Sequence, residues 1–217
     1  MAEAVIFDID GVLVNSEPYH FEAEEQILAK IGITLTDKEV QSFVGLAMDS
    51  MWMRLKESYS LEKSVEELLK EDTEFRVNFF REVGKIKPID GVRALITDIK
   101  SSGLKTAVAS SSHPDLIRVI LEASDLAEFF PFYLSGFQVK KGKPEPDIFI
   151  ETARLLGVEC SRCVVIEDSL NGVKAAKKAG MKCIGYSNPF SGDQDLSAAD
   201  IIISNFSEIN TSYLKDL

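Results

Sequence analysis

Ala4-Val5-Ile6-Phe7-Asp8-Ile9-Asp10-Gly11 is an apolar run that ends by delivering two carboxylates, two residues apart, into a glycine. Near-continuous hydrophobicity of this kind belongs to strands covered on both faces, as in parallel sheets. Five more short runs rich in Val, Ile, Phe and Tyr follow, at 105–109, 132–135, 163–166, 182–186 and 200–204. Segments of helical period separate most of them, at 91–101, 114–123, 147–156 and 170–179. Asp90 stands where the first of these helices needs an N-cap, and Gly103, Gly157 and Gly180 stand where helices would stop. Strand and helix in alternation predict parallel βαβ units.

One block breaks the alternation, because 16–87 carries helical patterns and no convincing strand. Ser16 with Pro18 opens a helix that runs to Ile31 and stops at Gly32. Thr36 with Glu39, and Ser64 with Glu67, have capping-box spacing for two more, the second continuing through Phe75, Phe79 and Phe80 to about Val83. A further helical stretch covers 48–59. The expected fold class is therefore α/β: a doubly wound, Rossmann-like parallel sheet built from 1–15 and 88–217, with an all-α cap inserted at 16–87. Lys87-Pro88-Ile89-Asp90-Gly91 reads as the return hinge.

The 217 residues hold 24 Lys plus Arg against 35 Asp plus Glu, a formal net charge of −11. That balance disfavours nucleic acid and anionic membrane as partners, and an anionic substrate would need a local reversal of field. No apolar run approaches the ~20 residues that span a bilayer. Met1-Ala2-Glu3 lacks the basic start of a signal peptide, so a cytoplasmic location is expected. Cys160, Cys163 and Cys183 cannot all pair, which fits a reducing compartment. Cys160-Ser161-Arg162-Cys163 has the spacing of a zinc or redox half-site, but no second Cys/His pair completes it, and packing beside a strand is the expected role.

Ligands of open parallel sheets bind beyond the carboxyl ends of the strands. Here those ends carry Asp8 and Asp10, then Ser110-Ser111-Ser112, then Lys140-Lys141-Gly142-Lys143-Pro144, then Glu167-Asp168. Each alone has a plainer reading: acids cap turns, Ser-Ser-Ser is an ordinary helix start, and Gly-Lys-Pro is an ordinary turn. Gathered on one rim, four carboxylates would repel one another unless a cation sat among them. Mg²⁺, a hard ion that takes oxygen ligands and is often shared with substrate phosphate, suits them. Lys143 and Ser110 would hold the remaining phosphate oxygens. The combination describes phosphoryl transfer.

With these motifs in order, the sequence resembles the haloacid dehalogenase superfamily, in particular its phosphatase and β-phosphoglucomutase-like branch with a helical cap after the first strand. The resemblance covers essentially the whole chain and rests on 7–17, 109–112, 142–147 and 166–172. It implies that Asp8 is the nucleophile that forms an aspartyl-phosphate and that Asp10 is the general acid and base. It implies catalytic roles for Ser110 and Lys143 as well, and phosphate or substrate contacts from Asp8, Ser110, Ser111, Lys143, His20 and Gly45. Metal contacts fall to Asp8, Asp10 and Asp168, with Glu167 supporting from behind them. Dehalogenases of the superfamily lack the acid at the position of Asp10, so its presence points to phosphate chemistry.

The resemblance leaves two activities. A mutase needs a cap cation for a second phosphate, and the comparable stretch Gly45-Leu46-Ala47-Met48-Asp49 offers none, although Arg54 and Arg76 could substitute. His20 does not separate the two, and it also reads as a helix-surface histidine. Met51, Trp52 and Met53 read first as cap packing and second as a substrate-cleft lining. The expected function is a Mg²⁺-dependent phosphatase of a small, sugar-like phosphate, with cap closure excluding water. A β-phosphoglucomutase-type mutase is the alternative, and a non-catalytic relative is a third. The expected partner is a small phosphorylated metabolite, bound by a monomer.

Overall fold

β1 (Ala4–Phe7) is buried at all four of its positions, as a strand at the middle of a sheet must be. The computed structural model describes residues 1–36, 39, 43 and 48–217. β1 pairs in parallel with β2 (Lys105–Ser110), Ala4 opposite Lys105. On its other side it pairs with β4 (Cys163–Glu167), Ala4 opposite Cys163. β3 (Tyr133–Ser135) lies outside β2, and β5 (Lys182–Tyr186) and β6 (Ile201–Ile203) extend beyond β4. All pairings are parallel, in the order β3-β2-β1-β4-β5-β6. In such an order the chain reverses direction of travel across the sheet between β1 and β4, and a crevice opens at their carboxyl ends.

Before this sheet resumes after β1, the chain forms α1 (Glu17–Lys30), α2 (Met48–Tyr59) and α3 (Val65–Val83). The connecting helices of the sheet are α4 (Val92–Ser101), α5 (Pro114–Ala123), α6 (Asp147–Leu156) and α7 (Leu170–Lys178), and the short α8 (Thr211–Asp216) closes the chain. α6 packs on β1, β2 and β3, and α7 on β4 and β5. Ala4, Ile6, Ala107, Phe149, Val165 and Cys183 meet in one core cluster. Full burial of a side chain the size of Phe149 stabilises by about 2 kcal/mol. Among the described residues, no helix is long and apolar enough to cross a membrane.

The chain divides into two compact units, Met1–Glu17 with Gly84–Leu217, and Pro18–Val83. These divisions fall inside the 16–87 range read from the sequence. Ser16 stays with the sheet because its hydroxyl binds Asp10. The return segment stays with it through the Ile86 and Ile89 N–H groups, which bond Ala123 O and Leu13 O, and through a bridge from Pro88 to Val14. The Asp90 cap is corrected: Gly91, at φ 88°, occupies the N-cap position of α4 without a side-chain hydrogen bond, and Asp90 pairs with Lys87 at 2.7 Å.

The Pro18–Val83 unit has its own core of Ile27, Leu28, Ile33, Trp52, Leu55 and Leu68. Trp52 is thus a packing residue, as is Met51, while Met53 is exposed. Asp72 and Arg76 form a buried ion pair at 3.0 Å on α3, and Arg76 also donates to His20 O at 3.1 Å. Ser64 and Glu67 form the expected reciprocal cap at the start of α3. Thr36 and Glu39 make the same contacts, but the helix read after them lies outside the described residues.

Candidate active site

The carboxyl end of β1 places Asp8 against Lys143, whose Nζ donates to Asp8 Oδ1 at 2.6 Å, to Glu167 Oε1 at 2.7 Å and to Ala109 O at 3.0 Å. The three ammonium hydrogens are thereby all used, by groups from the ends of β1, β2 and β4. Lys143 sits in the loop before α6 and lies 5.2 Å from the centre of the Phe149 ring. Burial lowers the pKa of this lysine, but Asp8 and Glu167 outweigh it and hold the ammonium charged, above the usual lysine range.

Asp10 is reached from two sides. Ser16 Oγ donates to its Oδ1 at 2.5 Å, and Ser112 Oγ donates to its Oδ2 at 3.0 Å. The Ile9–Val14 turn that presents it is closed by Val14 N to Ile9 O and Gly11 N to Val14 O. Ser110 is fully buried, and its hydroxyl accepts the Ser112 N–H at 3.0 Å, so that it shapes the turn after β2. Ser111 is exposed on that turn.

Glu167 and Asp168, adjacent in sequence, do different things. Glu167 Oε1 meets Lys143, and its Oε2 accepts both the N–H and the hydroxyl of Ser169, each at 2.9 Å. Both oxygens are spent on the protein. This packing needs Gly172, where a Cβ would lie 1.7 Å from Glu167 Oε1. Asp168 instead accepts a hydrogen bond from Ser191 Oγ through Oδ2. It lies so close to Gly11, at φ +76°, that a Cβ there would sit 1.9 Å from Oδ2.

Asp8 and Asp168 are 7% and 6% exposed. Burial, with repulsion from Glu167 and Asp10, pushes the Asp8 carboxyl up to about 7 against the pull of Lys143. Burial, with Glu167 and Asp8, pushes Asp168 up to about 9. A cation between the two would relieve both, and their hard oxygens are the donors that Mg²⁺ takes. Asp8 and Asp168 are two buried carboxylates with the oxygen-donor chemistry such an ion takes. Among the described residues, no three His, Cys, Asp or Glu side chains form a group that could hold a metal by themselves. With both oxygens taken by Lys143 and Ser169, Glu167 is a group that holds Lys143.

The structure brings together Asp8, Asp10, Ser110, Lys143, Glu167 and Asp168. His20 belongs to the other unit, where its ring packs at 5.0 Å from that of Phe80. Gly45 lies outside the described residues. Arg54 is exposed on α2, whereas Arg76, read as a spare cation, is committed to Asp72 and lies 3.7 Å from Glu24. Sequence reading missed Ser16, Ser112, Asn188 and Ser191 as site residues. Ser16 and Ser112 lie inside the quoted stretches 7–17 and 109–112 and could have been singled out there, but nothing in 188–191 marks that segment as part of the rim. The three cysteines are free, and burial pushes the Cys163 thiol up to about 12, which agrees with packing.

A family model described as haloacid dehalogenase-like hydrolase matches residues 5–186. A phosphorylated carbohydrates phosphatase of Thermotoga maritima is 36% identical over 182 residues, 84% of this chain and 83% of its own. The crystal structure of CbbY from Rhodobacter sphaeroides in complex with phosphate superposes with a TM-score of 0.87 at 28% identity, covering 100% of both chains. A β-phosphoglucomutase from Clostridium difficile superposes with a TM-score of 0.80 at 26% identity, over 100% of this chain and 96% of that one.

Proposed function

This chain belongs to the haloacid dehalogenase-like hydrolases, and from that we propose a Mg²⁺-dependent phosphatase acting on a small, sugar-like phosphate through an aspartyl-phosphate. The observation that carries the reading is the contact of Asp8 with Lys143 at 2.6 Å, beside an Asp10 whose two oxygens are each held by a hydroxyl. Asp8 is the oxygen nucleophile. As its carboxylate bonds to phosphorus, the ester P–O bond breaks, and Asp10 gives a proton to the leaving oxygen. Asp10 then takes a proton from the water that attacks the same phosphorus, which releases inorganic phosphate and restores Asp8. Lys143, turned from Asp8 to the phosphoryl oxygens, balances their charge.

Asp8, Asp168 and the Asp10 main-chain carbonyl would hold the Mg²⁺, with Glu167 behind them. When bound, the ion would supply charge neutralisation on the transferring phosphoryl group. The relative named a phosphorylated carbohydrates phosphatase supports a phosphorylated carbohydrate as substrate.

The reading is tested by incubating the purified chain with a panel of phosphorylated metabolites, with Mg²⁺ and with EDTA. Phosphate release that requires Mg²⁺ is expected for at least one sugar phosphate, and its absence across the panel would overturn the reading. The likeness to β-phosphoglucomutase supports a second reading, a phosphomutase. Conversion of β-glucose 1-phosphate to glucose 6-phosphate separates the two. The commitment of Arg76 to Asp72 favours hydrolysis.

A further inference from the structure

The loop after β5 carries none of the segments from which the site was assembled, yet two of its side chains reach it. Asn188 is 6% exposed, and its Nδ2 donates to Gly11 O at 2.8 Å and to Asn15 Oδ1 at 2.7 Å. Its Oδ1 accepts the Phe190 N–H at 2.9 Å, and its main-chain carbonyl accepts the Ser191 N–H at 3.2 Å. Gln194 Nε2 holds Ser191 O at 3.1 Å. The position of Ser191 is therefore set from both flanks, and the loop is tied to the turn that follows β1. From there the Ser191 hydroxyl donates to Asp168 Oδ2.

We infer that Ser191 is a positioning residue that aligns Asp168 for a divalent cation, an inference that rests on the phosphatase reading. A buried carboxylate with one oxygen fixed by a hydroxyl keeps one rotamer and offers its other oxygen to an ion. The ordering that binding would otherwise demand is then already present in the metal-free protein. Gly11 makes the arrangement possible. A Cβ there would stand 1.9 Å from Asp168 Oδ2 and 2.6 Å from Ser191 Oγ, so the glycine, the carboxylate and the hydroxyl share one point of contact.

The test compares the full chain with Ser191→Ala and Ser191→Thr. Mg²⁺ affinity is measured by titration calorimetry on EDTA-stripped, dialysed protein, and melting temperature in EDTA serves as the folding control. Ser191→Ala should weaken Mg²⁺ binding by about 10-fold or more, the range seen when a group behind a metal ligand is lost. Its melting temperature in EDTA should stay near that of the unaltered protein. Ser191→Thr, which keeps the hydroxyl, should retain the original affinity. Unchanged affinity in folded Ser191→Ala overturns the inference, as does a threonine variant as weak as the alanine one. If Ser191→Ala does not fold, Ser191→Cys, with a weak donor in the same place, carries the comparison. An unaltered protein that neither binds Mg²⁺ nor releases phosphate overturns the phosphatase reading along with this inference, whereas binding that ignores Ser191 overturns the inference alone.

Discussion

Asp168→Asn should make the metal-free protein more stable near neutral pH, although it removes an acid of the candidate site. Burial first, and then Glu167 and Asp8, raise the Asp168 carboxyl from 3.8 to about 9. In EDTA at pH 7.5 the folded chain thus keeps a proton there that the unfolded chain gives up. The corresponding stability is fully present below the unfolded value of 3.8 and is lost as pH rises toward the folded value of about 9. At about 1.36 kcal/mol per unit, the climb from the unfolded value to pH 7.5 costs about 5 kcal/mol. Asparagine does not titrate, but its amide must still be buried beside Ser191, so a net gain of about 2 kcal/mol is expected. In a chain of this size that is a rise of roughly 4–8 °C in Tm. Scanning calorimetry in EDTA at pH 4.5, 6 and 7.5 measures it, and the difference between the two proteins isolates Asp168. The gain should shrink steadily toward pH 4.5, and excess Mg²⁺ should reverse the ranking at pH 7.5, because only the unaltered site gains from the ion. A difference that does not grow with pH, or a variant less stable than the unaltered protein at pH 7.5 in EDTA, would refute the reasoning.

Three further outcomes follow from particular contacts. Asp8→Asn should lower phosphate release by about 10³-fold or more while circular dichroism stays unchanged, and turnover near the original rate would remove Asp8 as nucleophile. Gly172→Ala puts a Cβ 1.7 Å from Glu167 Oε1, and displacement of that carboxylate from Lys143 should cost about 2 kcal/mol or more by urea unfolding. A midpoint equal to the original would show that Glu167 moves aside freely. Arg76→Met leaves Asp72 buried without its cation and should destabilise by about 3 kcal/mol, and a loss below about 0.5 kcal/mol would mean the pair contributes little.

The sheet was legible because its strands are covered on both faces, so burial wrote itself into the sequence as unbroken apolar runs at β1, β2, β4 and β5. The helices were legible where their stops are glycines such as Gly157, which adopts φ 64° after α6. Asp90 misled because a carboxylate one residue before the true cap has a nearer partner in Lys87. At the site, the acids and Lys143 stand out because charge at the end of an apolar strand is rare. The hydroxyls do not. Ser112 and Ser191 differ from any surface serine only in what the fold sets opposite them, Asp10 and Asp168, which lie far away in the chain. Glu167 and Asp168 are neighbours in sequence, and the resemblance alone set them apart there; the structure does so by their partners, Lys143 and Ser169 for Glu167 and Ser191 for Asp168.

The placement of β1 between β2 and β4 bears on how the chain is made. Its first partner begins at Lys105 and its second at Cys163. Synthesis at about 5–20 residues per second puts the arrival of β2 on the order of ten seconds after β1 leaves the ribosome. Through that interval the whole Pro18–Val83 unit, with its own core, is completed on the nascent chain. The strand that leads into Asp8 meanwhile has no sheet to join, and its apolar Ala-Val-Ile-Phe segment waits for its first partner.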